Sequence, residues 1–303
     1  MTGGEMKVRF ILNPSAGRSG RLNALAGAVR KLFRAEEGIF EIKLSTDAES
    51  VKVLSQEAVR KGYELVFACG GDGTVNNVAS SLVGTGTALG ILPTGSGNAL
   101  AGALGIPADV EAALSLVKDG AIREMDVGVA CGRYFFSTAG FAFEAYLSRR
   151  YNEGRLSRRI RGVAPYFPLA LMEYFRFKPR DISLRVDGQE INGKPFILTA
   201  ANTDRFGGNA VISPDARMDD GLLDFCFIPR PKIFNTLGLG LKLLRGRIED
   251  HKGFRSFRGS RGVIKGWDLV DAHVDGEPFQ WQGDIEISVL HRKLKVLAPE
   301  IVL

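Results

Sequence analysis

The chain has 303 residues, 45% hydrophobic and 24% charged, with a net charge of +6 and a pI near 9.3. At roughly 150 residues per domain this length predicts two domains, and the composition excludes a disordered chain. Cys69, Cys131 and Cys226 are far apart and fit no metal or redox spacing, which excludes a disulfide scaffold and points to a reducing compartment. The modest basic balance suits acidic partners: nucleotide phosphates, anionic lipid headgroups or nucleic acid. No apolar run reaches the ~18 residues of a membrane-spanning helix. Lys7 and Arg9 interrupt the apolar run that a signal peptide would need. The expected location is the cytosol, with peripheral contact to a membrane.

From the start of the chain, strand and helix signals alternate. Lys7–Leu12 reads as a strand, Leu22–Phe33 as a helix, Ile39–Leu44 as a strand and Val51–Lys61 as a helix. Leu65–Cys69 and Ala88–Leu92 are short continuous apolar runs, the mark of buried parallel strands, and Val75–Leu82 between them reads as a helix. This alternation predicts a doubly wound α/β domain with a parallel sheet. Beyond about residue 130 the pattern changes. Arg133–Thr138, Ile182–Val186, Phe196–Ala201, Leu223–Ile228, Val263–Lys265 and Ile285–Leu290 read as strands, several separated by turns alone. They predict a mostly antiparallel β-sandwich domain, interrupted by helices at about 156–176 and 232–245.

Three polar, glycine-bearing loops follow strands of the predicted parallel sheet. They are Asn13-Pro14-Ser15-Ala16-Gly17-Arg18, Gly70-Gly71-Asp72-Gly73-Thr74, and Pro93-Thr94-Gly95-Ser96-Gly97-Asn98. Parallel strands place all three at the sheet's carboxyl edge, where open α/β sheets bind ligands. A strand–turn–helix junction offers unpaired N–H groups to a phosphate, and glycines let the backbone approach it closely. Arg18 adds a planar cation, and Asp72 is suited to Mg²⁺ or its waters. Neither a P-loop nor a strict GxGxxG is present, which argues against a P-loop NTPase and a dinucleotide oxidoreductase.

These loops, in this order and followed by Asp275-Gly276-Glu277, resemble the diacylglycerol kinase / sphingosine kinase superfamily of lipid kinases over nearly the whole chain. The resemblance implies an ATP-binding α/β domain, residues 1–130 with 291–303 returning to it. A β-rich lipid-substrate domain, 131–290, closes a cleft over it. ATP would meet Asn13, Pro14, Ser15, Ala16 and Gly17, then Gly70, Gly71, Asp72, Gly73, Thr74, Val75 and Asn76, and Ser96 in the loop that ends at Asn98. Thr46 matches a further nucleotide contact, and Asp126 an acidic position linked to the catalytic Mg²⁺. Glu277 would be the general base, supported by Asp275, with Asp72 as the competing base. A carboxylate suits that work, because a lipid hydroxyl needs a proton acceptor as it attacks the γ-phosphate. Asp-Gly is equally a plain hairpin signal. Arg217 and Leu222 (carbonyls) and Asp220 (side chain) match the family's structural Mg²⁺ site.

Two departures bear on substrate. Asn98 is followed by Ala99 where many bacterial relatives carry aspartate, and the string resembles the sphingoid-base and ceramide kinases more. Glu144 replaces an aspartate of the family segment and is a candidate for headgroup recognition, or else a carboxylate at a helix N-terminus. Residues 149–161 hold six arginines and one glutamate and precede the apolar stretch Val163–Phe177. That segment and Ile233–Leu244 are candidates for a membrane-surface contact. The expected partner is a lipid substrate at a membrane; family members often dimerise, and no nucleic-acid module is visible. Rival readings are a soluble-metabolite kinase of NAD-kinase type and a catalytically inactive lipid- or nucleotide-binding relative.

Overall fold

A computed structural model describes residues 6–14, 27–31, 38–95, 97–153, 166–207 and 210–300. It divides into two units, Met1–Met125 with Arg292–Leu303, and Asp126–His291. Two strands, β5 (Gly120–Ala130) and the final β18 (Ile285–Pro299), run from one unit into the other.

In the first unit β1 (Met6–Leu12), β2 (Gly38–Leu44), β3 (Leu65–Gly70) and β4 (Ala88–Pro93) form a parallel sheet in the order β2-β1-β3-β4. The end of β18 adds to β4 in parallel through Val296 and Leu89. Every residue of β3 and β4 is buried, as their unbroken apolar runs require. Phe10 and Phe67 stack at 4.7 Å, and a Cβ on Gly90 would meet the Phe67 ring at 2.5 Å. Arg9, inside β1, is fully buried; its guanidinium bonds Glu41, Glu57 and the Leu54 carbonyl. Burial pushes the Glu41 carboxyl up, but hydrogen bonds from Lys43, Tyr63 and Arg9 win and hold it at about 2. Helix α1 (Ala48–Arg60) is capped by Asp47, which accepts the Ser50 N–H at 2.7 Å. Helix α2 (Asp72–Leu82) buries Val75, Val78, Ala79 and Leu82 along one face. The short α3 (Ala99–Ala103) and α4 (Val110–Asp119) follow.

The second unit holds two antiparallel sheets. One runs β14 (Arg255–Gly259), β13 (Leu223–Pro229), β10 (Pro195–Ala201), β7 (Thr138–Gly140), β16 (Leu269–Val274), β17 (Glu277–Gln282). The other runs from β18 through β15 (Arg261–Lys265) and β8 (Ile182–Val186) to β9 (Gln189–Gly193). A hairpin joins β5 to β6 (Arg133–Phe135), and a small ribbon pairs β11 (Arg205–Gly207) with β12 (Ala210–Val211). Between the sheets lies a core that includes Phe135, Phe141, Leu198, Phe225, Ile264 and Ile287. A second core, including Phe143, Tyr174, Phe196, Ile228 and Leu239, packs beneath α5 (Phe143–Glu153), α6 (Tyr166–Tyr174) and α7 (Ile233–Leu244). This is the predicted fold class, a parallel α/β domain followed by an antiparallel β-sandwich.

Several elements differ from the sequence reading. Arg133–Thr138 is two strands, because the Phe136 and Ser137 N–H groups donate to the Asp275 carboxylate instead of a neighbouring strand. The expected helix at 156–176 is described only as α6, and of Leu22–Phe33 only 27–31 is described, as helix; the remaining positions lie outside the described residues. Helix α5 occupies the start of the arginine-rich run. There Arg149 pairs with Glu153 and Asp271, and Arg150 with Glu153 and Glu173.

Candidate functional site

In the first unit the parallel register gathers the candidate nucleotide-binding loops. Leu12 lies opposite Cys69, and Gly70 opposite Pro93, so the segments after β1, β3 and β4 leave from one edge. There the Asn13 N–H donates to the Cys69 carbonyl at 3.1 Å, and its side-chain amide donates to Thr74 Oγ1 at 3.0 Å. The Thr94 N–H donates to the Gly70 carbonyl at 3.1 Å. Gly71 occupies the cap position of α2. Thr74 lies in the first turn, folded over Gly70, where a Cβ would stand 2.5 Å from its Oγ1. The glycine loops touch backbone to backbone. A Cβ on Gly95 would overlap the Gly71 Cα, and one on Gly97 would overlap Asp72 Oδ2.

Asp72 fastens the loops together. Its Oδ2 accepts the Asn98 N–H at 2.9 Å and its Oδ1 the Ala99 N–H at 2.7 Å. Asn98 takes a left-handed conformation, φ 49°, which turns both N–H groups toward the carboxylate. Burial pushes the Asp72 carboxyl up, partly offset by the Ala99 and Asn98 N–H groups. Position 99 contributes a backbone N–H here, so alanine serves it. Thr46 is exposed just after β2 and donates its hydroxyl to Asp47 at 3.2 Å. Ser15, Ala16, Gly17, Arg18 and Ser96 lie outside the described residues. A nucleotide fits this edge by its phosphates. The α2 N-terminus lies at this edge, and the lack of a Cβ at Gly71, Gly95 and Gly97 lets the two loops meet there backbone to backbone.

A separate cluster of candidate residues lies in the other unit. Asp275 (φ 47°) and Gly276 (φ 84°) form the two-residue turn of the β16–β17 hairpin, in which Val274 pairs with Glu277. The plain hairpin reading of Asp-Gly therefore holds, and the turn does more. The Asp275 carboxylate accepts N–H groups of Phe136 at 2.9 Å, Ser137 at 2.8 Å and Thr138 at 3.1 Å. Ser148 donates to the Gly276 carbonyl at 2.8 Å. The hairpin is thus fixed at its tip, and Glu277, the first residue of β17, is exposed beside it.

Asp126 is fully buried. Its Oδ1 meets His291 Nδ1 at 2.8 Å, and its Oδ2 accepts the Gly221 N–H at 2.7 Å. Asn202 donates to the carbonyls of Asp126 at 3.0 Å and Phe136 at 2.9 Å. Sequence reading gave Asn202 and His291 no role, and no local motif marks either one. The expected structural metal set is together in sequence but differently used. Asp220 Oδ1 accepts the Leu222 N–H at 3.0 Å, Oδ2 pairs with Arg258, and Arg217 pairs with Asp219 at 3.6 Å. Arg258 also meets Asp224 at 3.2 Å. A guanidinium balances the Asp220 carboxylate as arranged, while Arg217 and Leu222 enter the expected set by their carbonyls, which none of these contacts uses. Among the described residues no three His, Cys, Asp or Glu side chains converge as a metal site. Mg²⁺ carried on nucleotide phosphates needs few protein ligands, and Asp72, the carboxylate at the loop junction, already accepts a backbone N–H at each oxygen.

Glu144, the candidate for headgroup recognition, is held through one of its oxygens. Its Oε1 accepts the N–H groups of Phe141 at 3.2 Å and Leu198 at 3.0 Å and the Thr199 hydroxyl at 3.2 Å. Its Oε2 is buried without a partner. Burial pushes the carboxyl up to about 7, against the pull of the surrounding N–H groups. Between pH 4.5 and 7 the native state therefore holds a proton that the unfolded chain releases, and stability falls as pH rises through that window. Glu144→Gln mimics the protonated acid. It is expected to raise stability at pH 8 by about 3 kcal/mol at most, and to flatten the pH dependence of thermal melting. Melting curves of the two proteins from pH 5 to 8 check this, and parallel curves would sink it.

The sequence was compared with known proteins. The profile described as "Diacylglycerol kinase catalytic domain" matches residues 7–130, and that described as "YegS C-terminal NAD kinase beta sandwich-like domain" matches 138–298. The chain is 30% identical over 300 residues to a diacylglycerol kinase of Mycobacterium tuberculosis (strain ATCC 25618 / H37Rv), covering 97% of this chain and 95% of that one. It is 26% identical over 301 residues to a diacylglycerol kinase of Bacillus subtilis (strain 168), covering 97% of each. A crystal structure of a diacylglycerol kinase from Bacillus anthracis str. Sterne shares the fold, with a TM-score of 0.77, 20% identity and 100% of both chains covered.

Proposed function

The chain belongs to the diacylglycerol kinase family of lipid kinases, and on that premise we propose that it transfers the γ-phosphoryl group of ATP, with Mg²⁺, to a lipid hydroxyl. The acceptor is diacylglycerol or a sphingoid- or ceramide-type lipid. The observation that carries the reading is the pair of glycine loops at the sheet edge, fastened by Asp72 at the uncapped start of α2. Their backbone binds and orients the phosphates, and Asn13 and Thr74 brace the edge. Mg²⁺, when bound, neutralises charge on the transferred group. Glu277 accepts the hydroxyl proton at its carboxylate as the lipid oxygen attacks. Asp275 positions the hairpin that carries Glu277. Asp72 is the weaker candidate for the base, because both its oxygens already hold backbone N–H groups.

The test is incubation with γ-labelled ATP and Mg²⁺ against micelle-dispersed diacylglycerol, sphingosine and ceramide, with NAD in a parallel tube. Label in one lipid names the acceptor. Label in NAD assigns the soluble-metabolite reading, and nucleotide binding without label in any acceptor assigns an inactive relative.

A further inference from the structure

Helix α7 carries an apolar stripe on the side away from its core. Phe234 is 91% exposed, Leu237 69%, Leu241 43% and Leu244 37%. The spacing i, i+3, i+7, i+10 puts the four on one face. The opposite face is already satisfied, since Leu239 is buried and Leu243 packs on the same core cluster, with Ile233 reaching it from the first turn. A second exposed group, Leu171, Met172 and Phe175, lies at the end of α6. The two helices are tied at that point: the Tyr174 hydroxyl donates to the Pro231 carbonyl at 2.5 Å, and Arg230 donates to the Tyr174 carbonyl at 2.7 Å.

The surrounding charge is net positive. Residues 231–250 contain Lys232, Lys242, Arg245 and Arg247 against Glu249 and Asp250, which leaves +2. Arg247 is paired with Asp250, which leaves the excess positive beside the stripe. An isologous pairing of two copies on this face would set like charges against each other. No helix of the described residues is long and apolar enough to cross a membrane. An amphipathic helix with large apolar side chains and flanking cations lies in the interface of an anionic bilayer.

We propose that α7, with the end of α6, is the face by which this protein docks on an anionic lipid bilayer, with Phe234 and Leu237 entering the acyl boundary and Lys242 and Arg245 meeting headgroup phosphates. The proposal rests on the lipid-kinase reading only in expecting a substrate that resides in a bilayer. Of the arginine run at 149–161, Arg149 and Arg150 are engaged in ion pairs, and 154–161 lie outside the described residues.

The experiment compares the full chain with its Phe234→Glu/Leu237→Glu variant in sedimentation with large unilamellar vesicles. The vesicles are phosphatidylcholine alone, or phosphatidylcholine with about a third phosphatidylglycerol. The wild type is expected to sediment with the anionic vesicles, less so as salt rises, and the variant to partition at least ~10-fold more weakly. Both side chains are exposed, so melting temperature stays unchanged. Turnover of a water-soluble short-chain diacylglycerol stays unchanged as well. Equal partition of the two proteins overturns the proposal. So does a wild-type dimer that the variant turns into a monomer, which assigns the stripe to a second copy. Loss of partition in the variant, with neither protein phosphorylating short-chain diacylglycerol, sphingosine or short-chain ceramide, refutes the catalytic reading and leaves the docking face standing.

Discussion

Replacing Gly95 by alanine is expected to cut ATP-dependent turnover by ~100-fold or more, since ångström displacements of positioning groups cost that much. The added Cβ would overlap the Gly71 Cα and stand 2.9 Å from Asn98 Oδ1. The obstacle is backbone, not the end of a flexible side chain, so one of the two loops must move. The movement reaches Asp72, whose carboxylate holds the N–H groups of Asn98 and Ala99. Overpacking of this kind costs about 1–3 kcal/mol of stability, so the protein stays folded while it loses its nucleotide. Gly86→Ala is the control, because a Cβ there meets nothing within 4 Å. Titration calorimetry with Mg-ATP checks the pair. Wild-type affinity in the Gly95→Ala protein would remove the loops from the nucleotide site.

Glu277→Gln is expected to lower turnover by ~10²- to 10⁴-fold, the range for loss of a general base. Nucleotide affinity and melting temperature should stay the same, because the side chain is exposed. Asp275→Asn should behave differently. Its carboxylate receives three backbone N–H groups, so weakening it loosens the hairpin and lowers both melting temperature and turnover. The contrast separates a group that handles the proton from one that holds it in place. Full turnover in Glu277→Gln would return the base to Asp72.

The sequence made local features legible. Leu65–Cys69 and Ala88–Leu92 could be read as buried parallel strands because every side chain in them is apolar, and the structure buries each one. The glycine loops announced an edge of the sheet because little else follows a buried strand in that way. The rest depends on partners distant in the chain. Asp126 meets His291 across 165 positions, and Asp220 meets Arg258 across 38, with no motif linking either pair. Glu144 stood in a recognisable segment, yet its use is set by Leu198 and Thr199 on a strand it does not adjoin in sequence. The same limit hid β18, which runs on through His291-Arg292-Lys293 to Pro299. Those charges read as an end, but pairing with β15 and then β4 carries the strand through them.

The most direct test is transfer of label from γ-labelled ATP to dispersed diacylglycerol by the wild type, Gly95→Ala and Glu277→Gln proteins side by side, with Mg-ATP binding measured on each. The expected result is labelled lipid with the wild type, almost none with either variant, and bound nucleotide retained only by the wild type and Glu277→Gln. Nucleotide bound by the wild type with no label reaching any lipid, or equal label from all three proteins, would contradict the assignment.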